Sequence, residues 1–454
     1  MFPHQALDDV YQFYERYSTS APSTALVKRY QEMKKLYAEI EAVEDDVEQW
    51  LAKVMEVDDK QFIIHNIEYR LGGNLLDLKL WKLYLEYLRK NDPKEMLQAY
   101  SKYCRFFIDD KKMLEEYKHA TAKFGPINVS WKNPFDFEKL ESQNIEPIFD
   151  LFDEGYKPTE KISFIRKQPC RYFFNTENNY IRQNFSLPNT VMHYIHQTAN
   201  HVALQKLYKS CKYFFAKKST PICYKFDYTC SPRMQRIAFR EQSIDIRMDQ
   251  NGIFKLQNLF IANSLSFYYL PEIKYQTLST IIQSFERCEP KHLTIENQNL
   301  TFAEFKFLAG HGNIETLHFK NVRITNDNRE IVPLEDIVVK LPKVYELCLD
   351  NILCTSQTSS SLLQIKFKNK FKELKLHNVN DKLELNDFYT FLWKNVNRKT
   401  CCTFSCSEEA SEEFILEFQR QYCCLLDFHF DDSENGKPMI NIFSAAEYEL
   451  FALN

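Results

Sequence analysis

Apolar and polar residues alternate in short runs through the C-terminal half of the chain, and the runs share one ending. The pattern is Leu-x-apolar-x-Asn, in which most positions marked x are polar. Alternation with a period of two predicts a short strand with one buried face, and Asn suits the turn that follows it. Five copies carry the pattern, and a sixth, CTFSC, has Cys402 and Cys406 at its two ends: Leu259 and Asn263, Leu293 and Asn297, Leu317 and Asn321, Leu347 and Asn351, Leu374 and Asn378.

The distances between successive copies indicate one strand, turn and helix per copy. The first positions are separated by 34, 24, 30, 27 and 28 residues, and segments with helical periodicity, such as FAEFKFLAG and LNDFYTFLWKNV, lie between the strands. Since one such unit cannot bury its apolar face alone, the copies are expected to stack side by side in a parallel sheet. The alternative is an ordinary α/β sheet whose strands are similar by accident.

Residues 240–430, which contain these copies, resemble an irregular leucine-rich repeat domain. The resemblance implies a C-terminal solenoid with a parallel sheet, followed by a cap or tail over residues 431–454. It also implies a surface that holds another macromolecule. The fold class predicted for the whole chain is therefore α/β, with the repeats as its C-terminal part.

A helical hairpin is predicted directly before the repeats, within residues 185–220. Apolar residues recur at helical spacing in two segments, first at Val191 and Ile195 and then through Leu204 and Leu207. The order of these residues resembles an F-box, in which the corresponding positions bury the hairpin and offer an apolar face to a Skp-type adaptor. The positions of this chain that match the family are Leu187, Pro188, Val191, Ile195, Leu204, Leu207 and Phe214. A plain core hairpin is the alternative.

Residues 1–124 are predicted to be helical throughout, as an all-α helical repeat or bundle. Trp50 and Trp81 are 31 residues apart, Leu114 follows 33 residues later, and Trp81 and Leu114 each have a tyrosine three residues further on. Helix pairs at this step resemble half-a-TPR (HAT) repeats, a family found in RNA-processing scaffolds, where it binds proteins. The alternative is a generic bundle with an aromatic core. Residues 125–184 are predicted to be a connector.

Composition and charge exclude several classes of function. The net charge of −4 gives no general attraction to nucleic acid or anionic membranes, and the 8 glycines form neither a G-x-G-x-x-G nor a G-x-x-x-x-G-K motif. Acidic residues near the N-terminus and the lack of a long apolar run predict an intracellular protein of the cytoplasm, the nucleus or both, with its 13 cysteines reduced. A locally basic tract, Lys206 to Lys218, is interpreted as a solvated helix face.

No cofactor, metal or catalytic residue is predicted. His193, His196 and His201 lack a carboxylate or cysteine to complete a metal set, and the cysteines near the C-terminus lack paired C-x-x-C knuckles. We therefore expect a non-catalytic substrate receptor of an SCF-type cullin ubiquitin ligase, whose hairpin docks a Skp-type adaptor and whose repeats bind an unknown protein target. The alternative is an RNA-processing scaffold that acts through its N-terminal helices.

Overall fold

The chain divides into two compact units in the computed structural model. One consists of Met1–Phe13 and Pro22–Arg166, and the other of Tyr14–Ala21 and Lys167–Asn454. The structure describes residues 1–125, 134–138, 188–210, 214–215, 220–230, 236–248, 257–268, 278–397, 399–429 and 438–452. Most of the predicted connector, 125–184, lies outside these ranges. Within them, no helix has both the length and the apolar character that crossing a membrane requires.

The N-terminal helices confirm the all-helical prediction for residues 1–124. They are α1 (Leu7–Tyr17), whose last turn belongs to the second unit, α2 (Thr24–Ala42), α3 (Val47–Met55), α4 (Lys60–Gly73), α5 (Leu78–Asn91), α6 (Pro93–Phe106) and α7 (Lys111–Phe124), followed by a short 3-10 turn, Asp136–Glu138. The helices α3 to α7 each begin directly after an aspartate whose carboxylate accepts backbone N–H bonds of the first turn: Asp46, Asp59, Asp77, Asp92 and Asp110. These caps satisfy N–H groups that have no partner inside the helix, so they fix where each helix starts.

The helices of the first unit have a repeat-like arrangement. Trp50, Trp81 and Leu114 each occupy the fourth position of their helix, in α3, α5 and α7, so the spacing seen in the sequence reflects alternate helices. Trp81 packs edge-on against Tyr103 at 5.7 Å between ring centroids, and Tyr100 stacks on Tyr117 at 5.6 Å. An aromatic core of this kind joins successive helix pairs.

The second unit is a mixed α/β structure built on one open sheet. Its strands in the described residues are β1 (Ile222–Cys230), β2 (Arg236–Arg240), β3 (Ser243–Met248), β4 (Leu259–Tyr268), β5 (Phe285–Cys288), β6 (His292–Thr301), β7 (Thr316–Thr325), β8 (Glu346–Leu349), β9 (Glu373–Val379), β10 (Cys401–Cys406) and β11 (Met439–Phe443). Its helices there are α8 (Asn189–Thr198), α9 (His201–Ser210), α10 (Leu278–Ile282), α11 (Phe302–Ala309), α12 (Leu334–Val338), α13 (Thr358–Gln364), α14 (Leu385–Asn395), α15 (Glu412–His429) and α16 (Ala445–Ala452).

The sheet is parallel at every pairing except that of β2 with β3. Its strand order is β11-β10-β9-β8-β7-β6-β4-β1-β3-β2, with β5 alongside β4, so β6 to β11 follow the order of the chain. The sheet begins at Ile222 and ends at Phe443, and it therefore extends beyond the predicted range of 240–430 at both ends. Strand β11 lies in the segment that was predicted to be a cap or tail.

One face of the sheet packs under the connecting helices in a single hydrophobic core. Phe305 of α11 meets Phe319 of β7 at 6.2 Å between ring centroids, and Phe388 of α14 meets Phe404 of β10 at 5.6 Å. The first apolar positions of neighbouring strands pair directly in the order Leu265, Leu293, Leu317, Leu347, Leu374 and Cys402. Each side chain in this row is partly buried by its neighbours in the row. A single strand with its connecting helix has too little apolar surface to bury such a side chain alone.

The pairing corrects the position of the first repeat. Leu265, and not Leu259, pairs with Leu293, so the first copy lies six residues later than the sequence alignment placed it. Leu259 instead pairs with Phe285 of β5. The alternation could not show this, because a shift by six residues keeps every side chain on the same face of the strand.

Candidate functional site

The hairpin formed by α8 and α9 packs against strand β4 of the sheet. Leu204 of α9 is buried in a cluster with Phe260 and Ala262 of β4. Arg287 of β5 donates a hydrogen bond of 2.8 Å to the carbonyl oxygen of Ala199, at the turn between the helices, and lies over the Phe260 ring. The side of the hairpin that faces β4 is therefore fixed by both apolar and polar contacts.

The residues predicted to bind a Skp-type adaptor differ in how far they are exposed. Leu204 and Phe214 are buried, and Ile195 and Leu207 are half-buried, whereas Pro188 and Val191 are exposed. Leu187 lies outside the described residues. The exposed apolar surface of α8 also includes Tyr194, which the sequence analysis did not select although it lies three positions after Val191, at the spacing of neighbours on one helix face. The exposed fractions are 40% for Val191 and 66% for Tyr194.

Two of the three histidines of the hairpin pack against aromatic rings. His196 is buried, 6.2 Å from the Tyr208 ring and 5.9 Å from the Phe214 ring, measured between centroids. His201 is half-buried and contacts Phe260 edge-on, while His193 is exposed. None of the three belongs to a group of possible metal ligands among the described residues. The side chains of Cys423 and Cys424 on α15 are outside the described part.

The repeat asparagines connect neighbouring strands, with Asn297 and Asn321 inside β6 and β7, Asn378 near the end of β9 and Asn351 just after β8. Asn297, Asn321 and Asn378 have left-handed backbone angles, with φ of 55°, 51° and 73°, which Asn tolerates better than most residues. The Nδ2 of Asn321 donates to Oδ1 of Asn297 at 2.8 Å. The Nδ2 atoms of Asn351 and Asn378 donate to carbonyl oxygens of the preceding repeat at 3.4 Å. These side chains therefore link each strand to the one before it.

Asn263, from the misplaced first copy, has a different role. It is buried, and its Nδ2 donates to the carbonyl oxygen of Glu15 at 3.1 Å. This contact fastens the segment Tyr14–Ala21 to the second unit.

The face of the sheet opposite the connecting helices carries polar side chains in two rows across the strands. One row comes from the middle positions of the repeats, and pairing aligns it as Thr294, His318, Cys348, Lys375 and Thr403. The other row consists of His292, Thr316, Glu346, Glu373 and Cys401. The parallel register therefore places imidazole, thiol, carboxylate and amine groups side by side on rigid strands.

Four of these side chains contact one another in a group that we call the β7–β9 cluster: His318, Glu346, Cys348 and Glu373. The Nε2 atom of His318 lies 3.5 Å from Oε2 of Glu346 and 3.9 Å from Oε2 of Glu373. The Sγ atom of Cys348 lies 3.5 Å from the same Glu373 oxygen. All four residues are half-buried.

The segment Tyr14–Ala21 lies across this polar face. Arg16 donates a hydrogen bond of 3.0 Å to Oε2 of Glu346, and its second terminal nitrogen lies 3.5 Å from Nδ1 of His318. Glu15 forms an ion pair of 2.9 Å with Lys291, and the carbonyl oxygen of Thr19 accepts from Ser243 at 2.6 Å. The segment therefore contacts both the β7–β9 cluster and strand β3, which begins at Ser243.

Burial and nearby charges set the protonation of this face. Burial raises the pKa of the Cys348 thiol, and the charge of Glu373 adds to the effect, so the thiol is protonated at neutral pH and is a poor nucleophile. Burial also favours the neutral form of Glu346, but interactions with His318 and Arg16 outweigh it and lower the pKa of that carboxyl. Burial lowers the pKa of His292 to about 3, so its imidazole is neutral.

A second group of possible ligands, Glu15, His292 and Glu315, lies on the same face. The Nζ atom of Lys291 is 2.9 Å from Glu15 and 3.7 Å from Glu315, so an amine already bridges the two carboxylates. This arrangement is a salt-bridge network, and its lysine opposes the entry of a metal cation.

The β7–β9 cluster was missed by sequence reasoning because its members come from three separate repeats. Two positions of each copy find it once the strands are aligned. The polar residue between the two apolar residues gives His318 and Cys348, and the residue directly before the first leucine gives Glu346 and Glu373. Comparison with protein-family models and with curated proteins gives no match for this chain.

Proposed function

We propose that the chain is a non-catalytic protein-interaction adaptor, a substrate receptor of an SCF-type cullin ubiquitin ligase. In this proposal the α8–α9 hairpin docks a Skp-type adaptor, and the C-terminal unit holds the target protein. The observation that carries it is the division of the hairpin into an anchored side, through Leu204, and an exposed apolar side, with Val191 and Tyr194. Exposed apolar side chains on a fixed helix are suited to a protein partner.

The sheet supports the second half of the proposal. Strands β6 to β11 follow one another in chain order, and left-handed asparagines recur in β6, β7 and β9, features that suit a leucine-rich repeat solenoid. Its polar face offers charged and hydroxyl groups to a target, while ubiquitin transfer would be performed by other subunits of the ligase. Such an adaptor would act in the cytoplasm, the nucleus or both.

Affinity capture from cells tests the proposal. The wild-type chain should co-purify with a Skp-type adaptor and a cullin, and the double variant Val191→Glu/Tyr194→Glu should lose both. The matched control is His193→Glu/Gln197→Glu, which adds the same charge to other exposed positions of α8. Capture of adaptor and cullin by the Val191/Tyr194 variant at the wild-type level would contradict the proposed docking face.

A second candidate function, a scaffold in RNA processing, is favoured by a different surface. The loops between α4 and α5 and between α6 and α7 expose Leu76, at 70%, and Ile108, at 81%. The two loops are neighbours, because Trp81 binds the carbonyl oxygen of Leu75 at 3.0 Å and its ring contacts Tyr103, which packs on Phe107. Exposed apolar residues clustered at loop ends favour a protein partner.

The same capture experiment separates the two functions. A Leu76→Ser/Ile108→Ser variant should keep the Skp-type adaptor if the first proposal holds. Loss of RNA-processing proteins in this variant, with no adaptor recovered from wild type, would favour the scaffold.

A further inference from the structure

We propose that the β7–β9 cluster is a zinc site whose ligands are His318, Cys348 and Glu373. This site is independent of the adaptor function. The donors are one imidazole nitrogen, one sulfur and one carboxylate oxygen, and His, Cys and acidic side chains are the ligands that zinc uses in proteins.

Two of the distances between these donor atoms are close to the edges of a tetrahedral site. Zinc bonds of about 2.0 to 2.3 Å in tetrahedral geometry place neighbouring donors roughly 3.3 to 3.8 Å apart. The donor atoms of the three residues all lie within 4.8 Å of one another, with 3.9 Å between His318 and Glu373 and 3.5 Å between Cys348 and Glu373. A cation can therefore be bound with only small side-chain adjustments.

The backbone holds these donors in place. They come from three adjacent strands, whose pairings place Glu346 beside Glu373 and His318 beside Cys348. Lys375 binds Oε1 of Glu373 at 2.7 Å, which leaves Oε2 directed to the cluster. A partner outside the ligand set that orients a ligand in this way is typical of metal sites.

The donor types select zinc over calcium and magnesium. Calcium and magnesium bind oxygen atoms, so a thiol and an imidazole disfavour them. Zinc accepts nitrogen, sulfur and oxygen together. When it binds, the Cys348 thiol becomes a thiolate and releases its proton to solvent, since a coordinated thiol is deprotonated.

Arg16 is the competing cation of this site. Its guanidinium contacts Oε2 of Glu346 and approaches Nδ1 of His318, so it supplies positive charge where zinc would bind. An imidazole that binds zinc through Nε2 carries its proton on Nδ1, and that N–H cannot accept from a guanidinium. Zinc binding should therefore weaken the contacts through which Arg16 attaches the segment Tyr14–Ala21 to the sheet.

Titration of the purified, reduced full-length chain with Zn²⁺ alone tests the site. The expected result is one zinc ion per chain, and Co²⁺ in its place should give the near-ultraviolet charge-transfer band of a thiolate ligand. Cys348→Ser should abolish the band, and His318→Asn should weaken Zn²⁺ binding by more than the roughly 10- to 100-fold that loss of an outer partner causes. Chemical denaturation of each variant checks that it is folded.

Two further variants sharpen the test. Cys401→Ser is the matched control, because Cys401 is half-buried on the same face of β10 and lies outside the cluster, and it should keep Zn²⁺ affinity and the cobalt band. Arg16→Met should tighten Zn²⁺ binding by about tenfold, the effect of removing a nearby unit charge worth about 1.4 kcal/mol. A folded wild type without the cobalt band, or Zn²⁺ affinity unchanged in both His318→Asn and Cys348→Ser, would overturn the proposal.

Discussion

Arg16 and Glu346 form an ion pair of 3.0 Å although 330 residues separate them in the sequence. Both side chains are mostly buried, with exposed fractions of 21% and 23%. The pair explains why Tyr14–Ala21 belongs to the same compact unit as the sheet. It also places a positive charge on the polar face at the point where two acidic side chains meet.

Arg16→Met should lower the free energy of unfolding of the second unit by about 1 to 3 kcal/mol, because Glu346 keeps a half-buried charge without its partner. Denaturant unfolding of the metal-free chain measures this change. Arg29→Met on exposed α2 is the control and should stay within about 0.5 kcal/mol of wild type. Equal stabilities for the Arg16 and Arg29 variants would show that the pair does not hold the segment.

Asn321→Val should destabilise the sheet unit more than Asn321→Gly. The backbone at Asn321 has φ of 51°, which a β-branched residue adopts at a cost of about 1 to 3 kcal/mol and glycine adopts without strain. Both variants lose the hydrogen bond to Asn297, so the difference between them isolates the backbone effect.

Thermal unfolding measures that difference. Lys320→Val at the neighbouring exposed strand position controls for valine itself, because this residue type suits an extended strand. If valine and glycine at position 321 gave equal stability, the left-handed backbone at this position of β7 would be contradicted.

Glu138→Gln should lower the free energy of unfolding of the first unit by about 3 to 5 kcal/mol, because it leaves the charge of Arg105 without its buried partner. The Glu138 carboxylate accepts hydrogen bonds from Arg105, Ser101, Tyr117 and the backbone N–H of Phe135. Equilibrium denaturation near neutral pH measures the loss. Glu86→Gln, at an exposed position of α5, is the control.

The same carboxylate gives the first unit a defined acid sensitivity. Burial opposes ionisation of Glu138, but its hydrogen bonds outweigh burial and lower the pKa from 4.5 to about 2. The folded pKa is below the unfolded one, so this contribution is fully present above 4.5 and is lost as the pH falls towards 2. Glu138→Gln should flatten the decline of stability over that range, and an unchanged decline would contradict this assignment.

Local pattern predicted the strands well, because alternation depends on near neighbours along the chain. Leu293, Leu317, Leu347 and Leu374 were assigned to the correct strands and faces. The first copy was misplaced because Leu259 and Leu265 lie on the same face of β4. Only the pairing with β6 distinguishes the two leucines.

The candidate sites depend on contacts that no local pattern encodes. Periodicity predicted the helix that contains Val191. Phe260 of β4, far along the chain, decides which side of the hairpin is buried. Likewise, Cys348 and Glu373 become neighbours only through the register of β8 with β9. Residues that meet across strands in this way cannot be identified from spacing alone.

The most direct test of the proposed function is calorimetric titration of the purified full-length chain with a purified Skp-type adaptor. The account predicts one-to-one binding by wild type and by His193→Glu/Gln197→Glu, and no binding by Val191→Glu/Tyr194→Glu, with all three chains folded. A folded wild-type chain that does not bind the adaptor, or undiminished binding by the Val191→Glu/Tyr194→Glu variant, would contradict it.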